Sequence, residues 1–212
     1  DMAKVVVTRK IPGNGIKMLQ DARYEVVVSP QNRPLERLEL LNFIQGADAV
    51  LGQLTDKVDE EYINAAGPNL KIVANYAVGF DNFDLPALTS HNIVATNTPD
   101  VLTEAVAEHT FTLIMAITRR LVEADKLAIA QTTSFGPEVM LGIELKGKTL
   151  GILGLGRIGS RVAEIGKAFG MNVIYYDIKQ NEEFEKGVGA NFKATPEELL
   201  KDADVVSVHV PL

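Results

Sequence analysis

The chain has 212 residues, 46% hydrophobic and 23% charged, which is typical of globular proteins and is enough for one or two cores. The net charge of −7, without a long basic run, argues against binding to nucleic acid or to an anionic membrane. The absence of cysteine excludes disulfides, thiolate metal sites and a cysteine nucleophile, and it is compatible with a cytoplasmic location. We expect neither a signal peptide nor a membrane helix, because no apolar run reaches roughly 18 residues.

The first half of the chain alternates short β-branched runs with helical patterns. Strands are predicted at residues 5–8, 24–29, 49–52, 70–74 and 92–96, and helices at 13–20, 35–45, 60–66 and 85–90. Runs that are apolar on both faces and are separated by helices are typical of a parallel sheet with helices on both sides. The sequence therefore predicts an α/β fold with a doubly wound sheet.

A turn-rich segment at residues 97–100, which reads NTPD, interrupts this alternation. Proline restricts the residue before it, and asparagine and aspartate favour turns and caps. We therefore place a domain boundary here, with one domain at residues 1–99 and a second at 100–212. A single long helix is predicted over residues 103–130, and its near-continuous apolarity indicates burial between domains or subunits. An irregular connection is expected at residues 131–147.

The alternation of strands and helices then restarts and predicts a second doubly wound parallel sheet. Its strands are predicted at residues 148–153, 172–177, 190–193 and 203–210, and its helices at 158–169, 181–186 and 196–201. Within it, residues 154–159 read GLGRIG and fit the pattern G-x-G-x-x-G. A strand runs into the first glycine, a helix begins at the last, and Asp177 ends the next strand 18 residues after Gly159. This context is typical of a dinucleotide-binding loop.

Each glycine of this loop meets a physical requirement at its position. Gly154 permits a tight turn, Gly156 lets the backbone approach a pyrophosphate, and Gly159 lets the helix pack closely on the strand. Flavin and S-adenosylmethionine sites use related loops, and a glycine-rich turn that binds nothing is the structural alternative.

The residues around the glycines indicate which nucleotide would bind. Free N–H groups at the helix start, such as that of Ile158, favour phosphate, and Arg157 can add a charged contact. Asp177 can accept hydrogen bonds from the adenosine ribose, and its carboxylate would repel the 2′-phosphate of NADP. The sequence therefore predicts NAD as the cofactor. The spacing of histidine, aspartate and glutamate does not support a metal site.

Three segments in order resemble the D-isomer-specific 2-hydroxyacid dehydrogenases, a family that includes glyoxylate/hydroxypyruvate reductases, phosphoglycerate dehydrogenases and D-lactate dehydrogenases. They are NYAVGFDNFD at residues 75–84, TNTPDVLT at 96–103 followed by AEH at 107–109, and LKGKTLGILGLGRIG at 145–159. The resemblance implies a flavodoxin-like substrate (lid) domain, then a Rossmann cofactor domain that is incomplete at its C-terminal end. The active site would lie in the cleft between them.

The resemblance also implies site residues. The backbone amides of Val78 and Gly79 would bind the substrate carboxylate, and Thr103 and the pair Val210-Pro211 would lie near the nicotinamide. The family's catalytic arginine, glutamate and histidine follow the strand that ends at Val210. No residue of this chain therefore inherits a catalytic role, and we expect a C-terminally truncated chain that is inactive alone.

The function implied is an NAD-dependent oxidoreductase that interconverts a 2-keto acid and a D-2-hydroxy acid by hydride transfer. Glyoxylate or hydroxypyruvate is the first expectation for the substrate, with specificity from side chains such as Gln53, Leu54 and Tyr76. The resemblance further implies a homodimer built through the predicted long helix. The alternative is a non-catalytic dinucleotide-binding sensor or corepressor on the same fold.

Overall fold

The structure is a computed structural model that describes residues 2–130 and 136–210. It divides into two compact units, one that ends at Asp100 and one that covers Val101–Val210. Each unit contains one parallel sheet and its own hydrophobic core, which confirms the predicted α/β class. No helix among the described residues is long and apolar enough to span a membrane.

The first unit is a five-stranded parallel sheet with the order β2-β1-β3-β4-β5. This is the flavodoxin-like order that the family resemblance implies. In chain order, its elements are β1 (Lys4–Val7), α1 (Gly15–Asp21), β2 (Glu25–Val28), α2 (Arg37–Phe43), β3 (Ala49–Gly52), α3 (Glu60–Ala66), β4 (Ile72–Asn75), α4 (Leu85–Ser90) and β5 (Val94–Thr96).

Local sequence explains where these elements begin and end. Helix α3 begins after Asp59 because that carboxylate accepts the N–H of Tyr62 at 3.1 Å, and Asp84 caps α4 in the same way through Ala87. Strand β5 is shorter than predicted because Asn92 has a left-handed φ of 57°, which fixes the turn after α4. The main core packs α2, α3 and α4 on one face of the sheet, around Val6, Val50 and Val73.

The second unit has a four-stranded parallel sheet with the order β8-β7-β6-β9. This corresponds to 3-2-1-4 in the Rossmann order, as predicted. Its elements are α5 (Thr103–Thr118), α6 (Leu121–Ile129), β6 (Thr149–Leu153), α7 (Arg157–Ala168), β7 (Asn172–Tyr176), α8 (Glu182–Val188), β8 (Ala190–Phe192), α9 (Pro196–Asp202) and β9 (Val205–Val208).

The prediction of one helix over residues 103–130 is wrong, because the structure contains two helices. The break falls at Arg120, which adopts a left-handed conformation with a φ of 53°. The carbonyl of Thr118 accepts the N–H of Ile143 at 2.7 Å, so a returning segment takes an acceptor that a continuous helix would use internally. Gly142 makes this approach possible, since a Cβ there would lie 2.4 Å from the Thr118 oxygen.

The apolar surface of α5 is only partly covered within the unit. Ala107, Phe111 and Ile114 are buried, whereas Leu113 and Ile117 are 51% and 76% exposed. The wide apolar surface seen in the sequence thus consists of one buried face and one exposed face. Residues 131–135 of the predicted irregular connection lie outside the described residues.

Candidate functional site

The glycine loop between β6 and α7 has a geometry that only glycine allows at two positions. Gly154 has a φ of +93°, and a Cβ there would lie 2.8 Å from the carbonyl oxygen of His209. A Cβ at Gly159 would lie 2.0 Å from the carbonyl oxygen of Gly154. Gly156 differs, because no heavy atom lies within 4 Å of its built Cβ. The outer side of the loop is therefore open at Gly156, where another molecule can approach the backbone.

The start of α7 offers backbone donors on this open side. The first intrahelical bond runs from the N–H of Ser160 to the oxygen of Gly156 at 2.9 Å, and no side chain caps the helix. The N–H groups of Ile158 and Gly159 therefore have no intrahelical acceptor. Arg157 is exposed on the same turn. A 12-residue helix with such an end favours an anion such as a phosphate group.

Asp177 follows β7 and lies beside the glycine loop. Its Oδ2 accepts the N–H of Leu155 at 2.6 Å, and its Oδ1 accepts the N–H of Ile178 at 2.7 Å. A carboxylate has about four acceptor sites, so capacity remains for further donors such as hydroxyl groups. The carboxylate borders a pocket of about 550 Å³ that is lined by Leu155, Asp177, Lys179, Gln180, Asn181 and Glu182. The sequence predicted the position of Asp177 but not its tether to the loop.

The end of β9 lies against the same loop. The N–H of His209 donates to the oxygen of Leu153 at 2.7 Å, and Val210 Cγ1 would lie 2.9 Å from a Cβ at Gly154. Val210 is therefore adjacent to the first glycine, whereas Pro211 lies outside the described residues.

The ring of His209 is held by a second contact, since its Nε2 lies 2.8 Å from the Oγ of Ser207. Burial lowers the pKa of His209, which favours the neutral ring at neutral pH. Sequence reasoning missed Ser207. Its position two residues before His209 could have revealed the pair, because alternate residues of a strand share a face.

Thr103 is the first residue of α5 and is half-buried. The next residue, Glu104, pairs with Arg161 of α7 at 2.8 Å. This ion pair holds the start of α5 beside α7, the helix that begins in the glycine loop.

The predicted substrate residues Val78 and Gly79 lie in the first unit, in the loop after β4. The oxygen of Ala77 accepts the N–H of Thr98 at 2.8 Å, and the oxygen of Val78 accepts Asn97 Nδ2, also at 2.8 Å. In a trans peptide the C=O and the following N–H point in opposite directions. The N–H groups of Val78 and Gly79 therefore point away from residues 97–98, and neither has an acceptor among the described residues.

The side chains near these donors are both apolar and acidic. Leu54, Tyr76 and Phe80 are 51%, 44% and 49% exposed, and a Cβ built at Gly79 would lie 3.4 Å from Leu54 Cδ2 and 3.6 Å from Asp81 Oδ2. Two adjacent N–H groups without an acceptor among the described residues suit a carboxylate on a small molecule. Within residues 2–130 and 136–210, no group of histidine, aspartate or glutamate side chains could hold a metal ion.

Comparison with known proteins places this geometry in a family. Residues 5–206 match the model described as D-isomer specific 2-hydroxyacid dehydrogenase, catalytic domain. The chain is 47% identical over 214 residues to a glyoxylate reductase of Aeropyrum pernix, which covers 99% of this chain and 63% of that protein. It is 44% identical to a glyoxylate reductase of Thermococcus kodakarensis, with the same coverage.

Solved structures give the same result. A Thermus thermophilus protein superposes with a TM-score of 0.90 at 40% identity, over 99% of this chain and 65% of that one. A D-lactate dehydrogenase from Aquifex aeolicus, solved with NAD and lactic acid, gives a TM-score of 0.82 at 33% identity, over 99% of this chain and 61% of that one. The chain thus spans less than two thirds of the length of these relatives.

Proposed function

The chain belongs to the D-isomer specific 2-hydroxyacid dehydrogenase family, and we propose that the full-length protein is an NAD-dependent oxidoreductase. It interconverts a 2-keto acid and a D-2-hydroxy acid by hydride transfer. The glycine loop is the observation that carries this proposal: it is open at Gly156 and is bordered by Asp177 and by the N–H groups of Ile158 and Gly159, which have no intrahelical acceptor. These features fit a dinucleotide.

In this proposal the second unit is the cofactor domain, and NAD supplies or accepts the hydride when it is bound. The N–H groups of Ile158 and Gly159 hold the pyrophosphate, and Arg157 adds charge from the same turn. Asp177 accepts hydrogen bonds from the adenosine ribose. Thr103 and Val210 line the nicotinamide side. The Aquifex aeolicus relative, which was solved with NAD and lactic acid, supports NAD as the cofactor.

The first unit is the substrate domain of the proposal. The N–H groups of Val78 and Gly79 bind the substrate carboxylate, because they are adjacent and have no protein acceptor among the described residues. Glyoxylate or hydroxypyruvate is the proposed substrate, which the names of the glyoxylate reductase relatives support. Gln53, Leu54 and Tyr76 contribute specificity. We place the catalytic arginine, glutamate and histidine outside residues 1–212, in the part of the full-length protein that corresponds to the unmatched part of the relatives.

Turnover of NADH tests this function directly. We expect the full-length protein to oxidise NADH with glyoxylate or hydroxypyruvate, and residues 1–212 alone to show no turnover above a control without protein, because the three catalytic side chains are missing. Both proteins are assayed by NADH absorbance under identical conditions. Full-length protein that binds NADH but turns over no 2-keto acid would support the sensor or corepressor alternative. Turnover by residues 1–212 would show that the catalytic groups lie within this chain, contrary to the proposal.

We also propose a cytoplasmic homodimer, and the exposed faces of α5 and α6 support the dimer. Ile117, Leu121 and Ile129 are 76%, 58% and 75% exposed. Exposed apolar side chains on neighbouring helices are typical of a subunit interface. We expect a dimeric mass for the full-length protein by light scattering at micromolar concentration, and a monomer for Ile117→Lys. The control Leu38→Lys changes a side chain that is 74% exposed on α2 and should stay dimeric. A monomeric wild type contradicts the proposal.

A further inference from the structure

Two asparagine side chains hold the loop that carries the proposed carboxylate donors. Asn97 Nδ2 donates to the oxygen of Val78, and Asn75 Nδ2 donates to the oxygen of Gly79, each at 2.8 Å. We propose that Asn97 and Asn75 are positioning residues: Asn97 orients the N–H of Gly79 toward the substrate carboxylate, and Asn75 holds the loop that carries this N–H. This inference rests on the proposed function, because it requires that a 2-keto acid binds at this loop.

Asn97 acts through the rigidity of the peptide group. The carbonyl of Val78 and the N–H of Gly79 belong to one planar trans unit, so the bond from Asn97 fixes the direction of that N–H. The backbone N–H of Thr98 does the same for the Ala77–Val78 peptide. Residues 97 and 98 directly follow β5, which is paired in register with β4. Both donors are thus oriented by one segment that is anchored in the sheet.

Asn75 connects the same loop to its neighbour. It is the last residue of β4 and is 1% exposed. Its Nδ2 also donates to Asn82 Oδ1 at 3.0 Å, and Asn82 Nδ2 donates to the oxygens of Gln53 and Asp56 at 3.2 and 2.8 Å. The loop after β4 is therefore tied to the loop after β3, which carries Leu54.

The contacts of Asn75 also fix the orientation of its amide. Both partners of its Nδ2 are oxygens, so a rotated amide would place oxygen against oxygen. Asn75 keeps this orientation although its Oδ1 is buried without a partner among the described residues. Since an orphaned buried acceptor is unfavourable, the two donated bonds hold the amide in place.

Only an uncharged donor suits position 97. An aspartate there would place an acceptor against the Val78 carbonyl, and its charge would oppose a nearby substrate carboxylate. An alanine would remove the bond to the Val78–Gly79 peptide, which would then be held only through the neighbouring bonds to Ala77 and Gly79. Because catalysis depends strongly on orientation, the loss should appear first in the binding of the carboxylate.

The test uses full-length wild type, Asn97→Ala, Asn97→Asp and Asn97→Ser, with Asn64→Ala as the control, since Asn64 is exposed on α3. KM and kcat for glyoxylate, the inhibition constant of oxamate, the Kd of NADH and Tm are measured. We expect Asn97→Ala to raise KM and the oxamate constant together, by about tenfold, as the loss of one orienting bond implies. The aspartate variant should lose more and the serine variant, which keeps a short donor, less. The Kd of NADH and all Asn64→Ala values should be unchanged.

A lower Tm with unchanged KM and oxamate constant would show a merely structural role and would overturn the inference. If Asn97→Ala does not fold, the test uses Asn97→Ser and Asn97→Asp instead. Unchanged KM and oxamate constant in both of these variants would also overturn the inference. Wild-type protein that turns over no 2-keto acid would instead contradict the proposed function. Active wild type with unaffected Asn97 variants would contradict only the positioning role.

Discussion

The substitution Gly159→Ala is expected to lower the NADH affinity of the full-length protein by about a hundredfold or more, because it displaces the backbone of the glycine loop, where we propose that the pyrophosphate binds. The new methyl group would lie 2.0 Å from the Gly154 oxygen and 3.2 Å from Ile152 Cγ2. A backbone oxygen cannot rotate away as a side chain can. Overpacking of this kind costs about 1–3 kcal/mol, which corresponds to a decrease in Tm of roughly 2–12 °C for a protein of this size or somewhat larger.

Two other glycines separate the effects on stability and on binding. Gly156 has an extended conformation, with a φ of −74°, and open space around its built Cβ. Gly156→Ala should therefore leave Tm unchanged and weaken NADH, because the methyl group occupies the surface that the pyrophosphate approaches. Gly187→Ala lies in α8 with no heavy atom within 4 Å, and should be neutral for NADH and slightly stabilising, by up to about 1 kcal/mol.

Titration calorimetry and scanning calorimetry measure these two quantities for all three variants. Normal NADH binding by Gly159→Ala would show that the close packing of α7 on the loop is not required. Unchanged binding by Gly156→Ala would show that the nucleotide does not cross the open side of the loop.

The sequence revealed the sheets and the glycine loop because their determinants are local. Strand β6 is an apolar run that is followed directly by Gly154, and α7 begins three residues after that glycine with the helical spacing of Val162 and Ile165. The order of strands is implied by the family resemblance, and the right-handed connections of parallel sheets only limit the alternatives. Predicted element ends differ by a few residues, as for the strand at residues 203–210, which is observed as Val205–Val208.

The break between α5 and α6 could not be predicted, because a contact distant in sequence decides it. Residues 118–122 read TRRLV, without proline or glycine, so nothing local ends the helix. The helix ends because Ile143 donates its N–H to Thr118 and Gly142 permits the approach. The helical periodicity of a segment indicates which of its faces is apolar. It carries no information about an irregular segment 25 residues later in the chain that packs against the helix end.

In the candidate site, too, the sequence indicates local features but not contacts between residues that are distant in the chain. The motifs indicate Val78, Gly79 and Asp177 as positions, but not the side chains that orient them. The bond from Asn97 to Val78 spans 19 residues, and the bond from Leu155 to Asp177 spans 22. Asp56, which is 2% exposed and accepts the hydroxyl of Thr8 at 2.5 Å, also has no sequence signal. Such bonds depend on which loops meet at the carboxyl ends of the strands, and the local sequence of each loop does not determine this.

The full-length protein is expected to prefer NADH to NADPH by about a hundredfold or more, because in the proposed binding mode the negative charge of Asp177 faces the adenosine ribose. The structure strengthens the reason. The carboxylate is held by the N–H groups of Leu155 and Ile178, so movement away from a 2′-phosphate would break two charge-assisted hydrogen bonds. Lys179 borders the same pocket, and its positive charge should reduce the repulsion of the 2′-phosphate of NADPH without abolishing it.

Two substitutions separate the charge from the tether. Asp177→Asn removes the negative charge but keeps an oxygen that can accept the N–H of Leu155, so the loop stays in place and the preference should narrow to about tenfold or less. Asp177→Ala removes both, and the orphaned N–H of Leu155 should weaken NADH and NADPH together. Glu182→Gln removes a charge from the same pocket without contacting the loop and should shift the ratio by no more than about twofold, because exposed charges are screened. The comparison is kcat/KM, or Kd, for the two coenzymes in each variant. Equal or better use of NADPH by the wild type would show that Asp177 does not face the ribose. A narrower preference in Asp177→Ala than in Asp177→Asn would show that the tether, and not the charge, sets coenzyme choice.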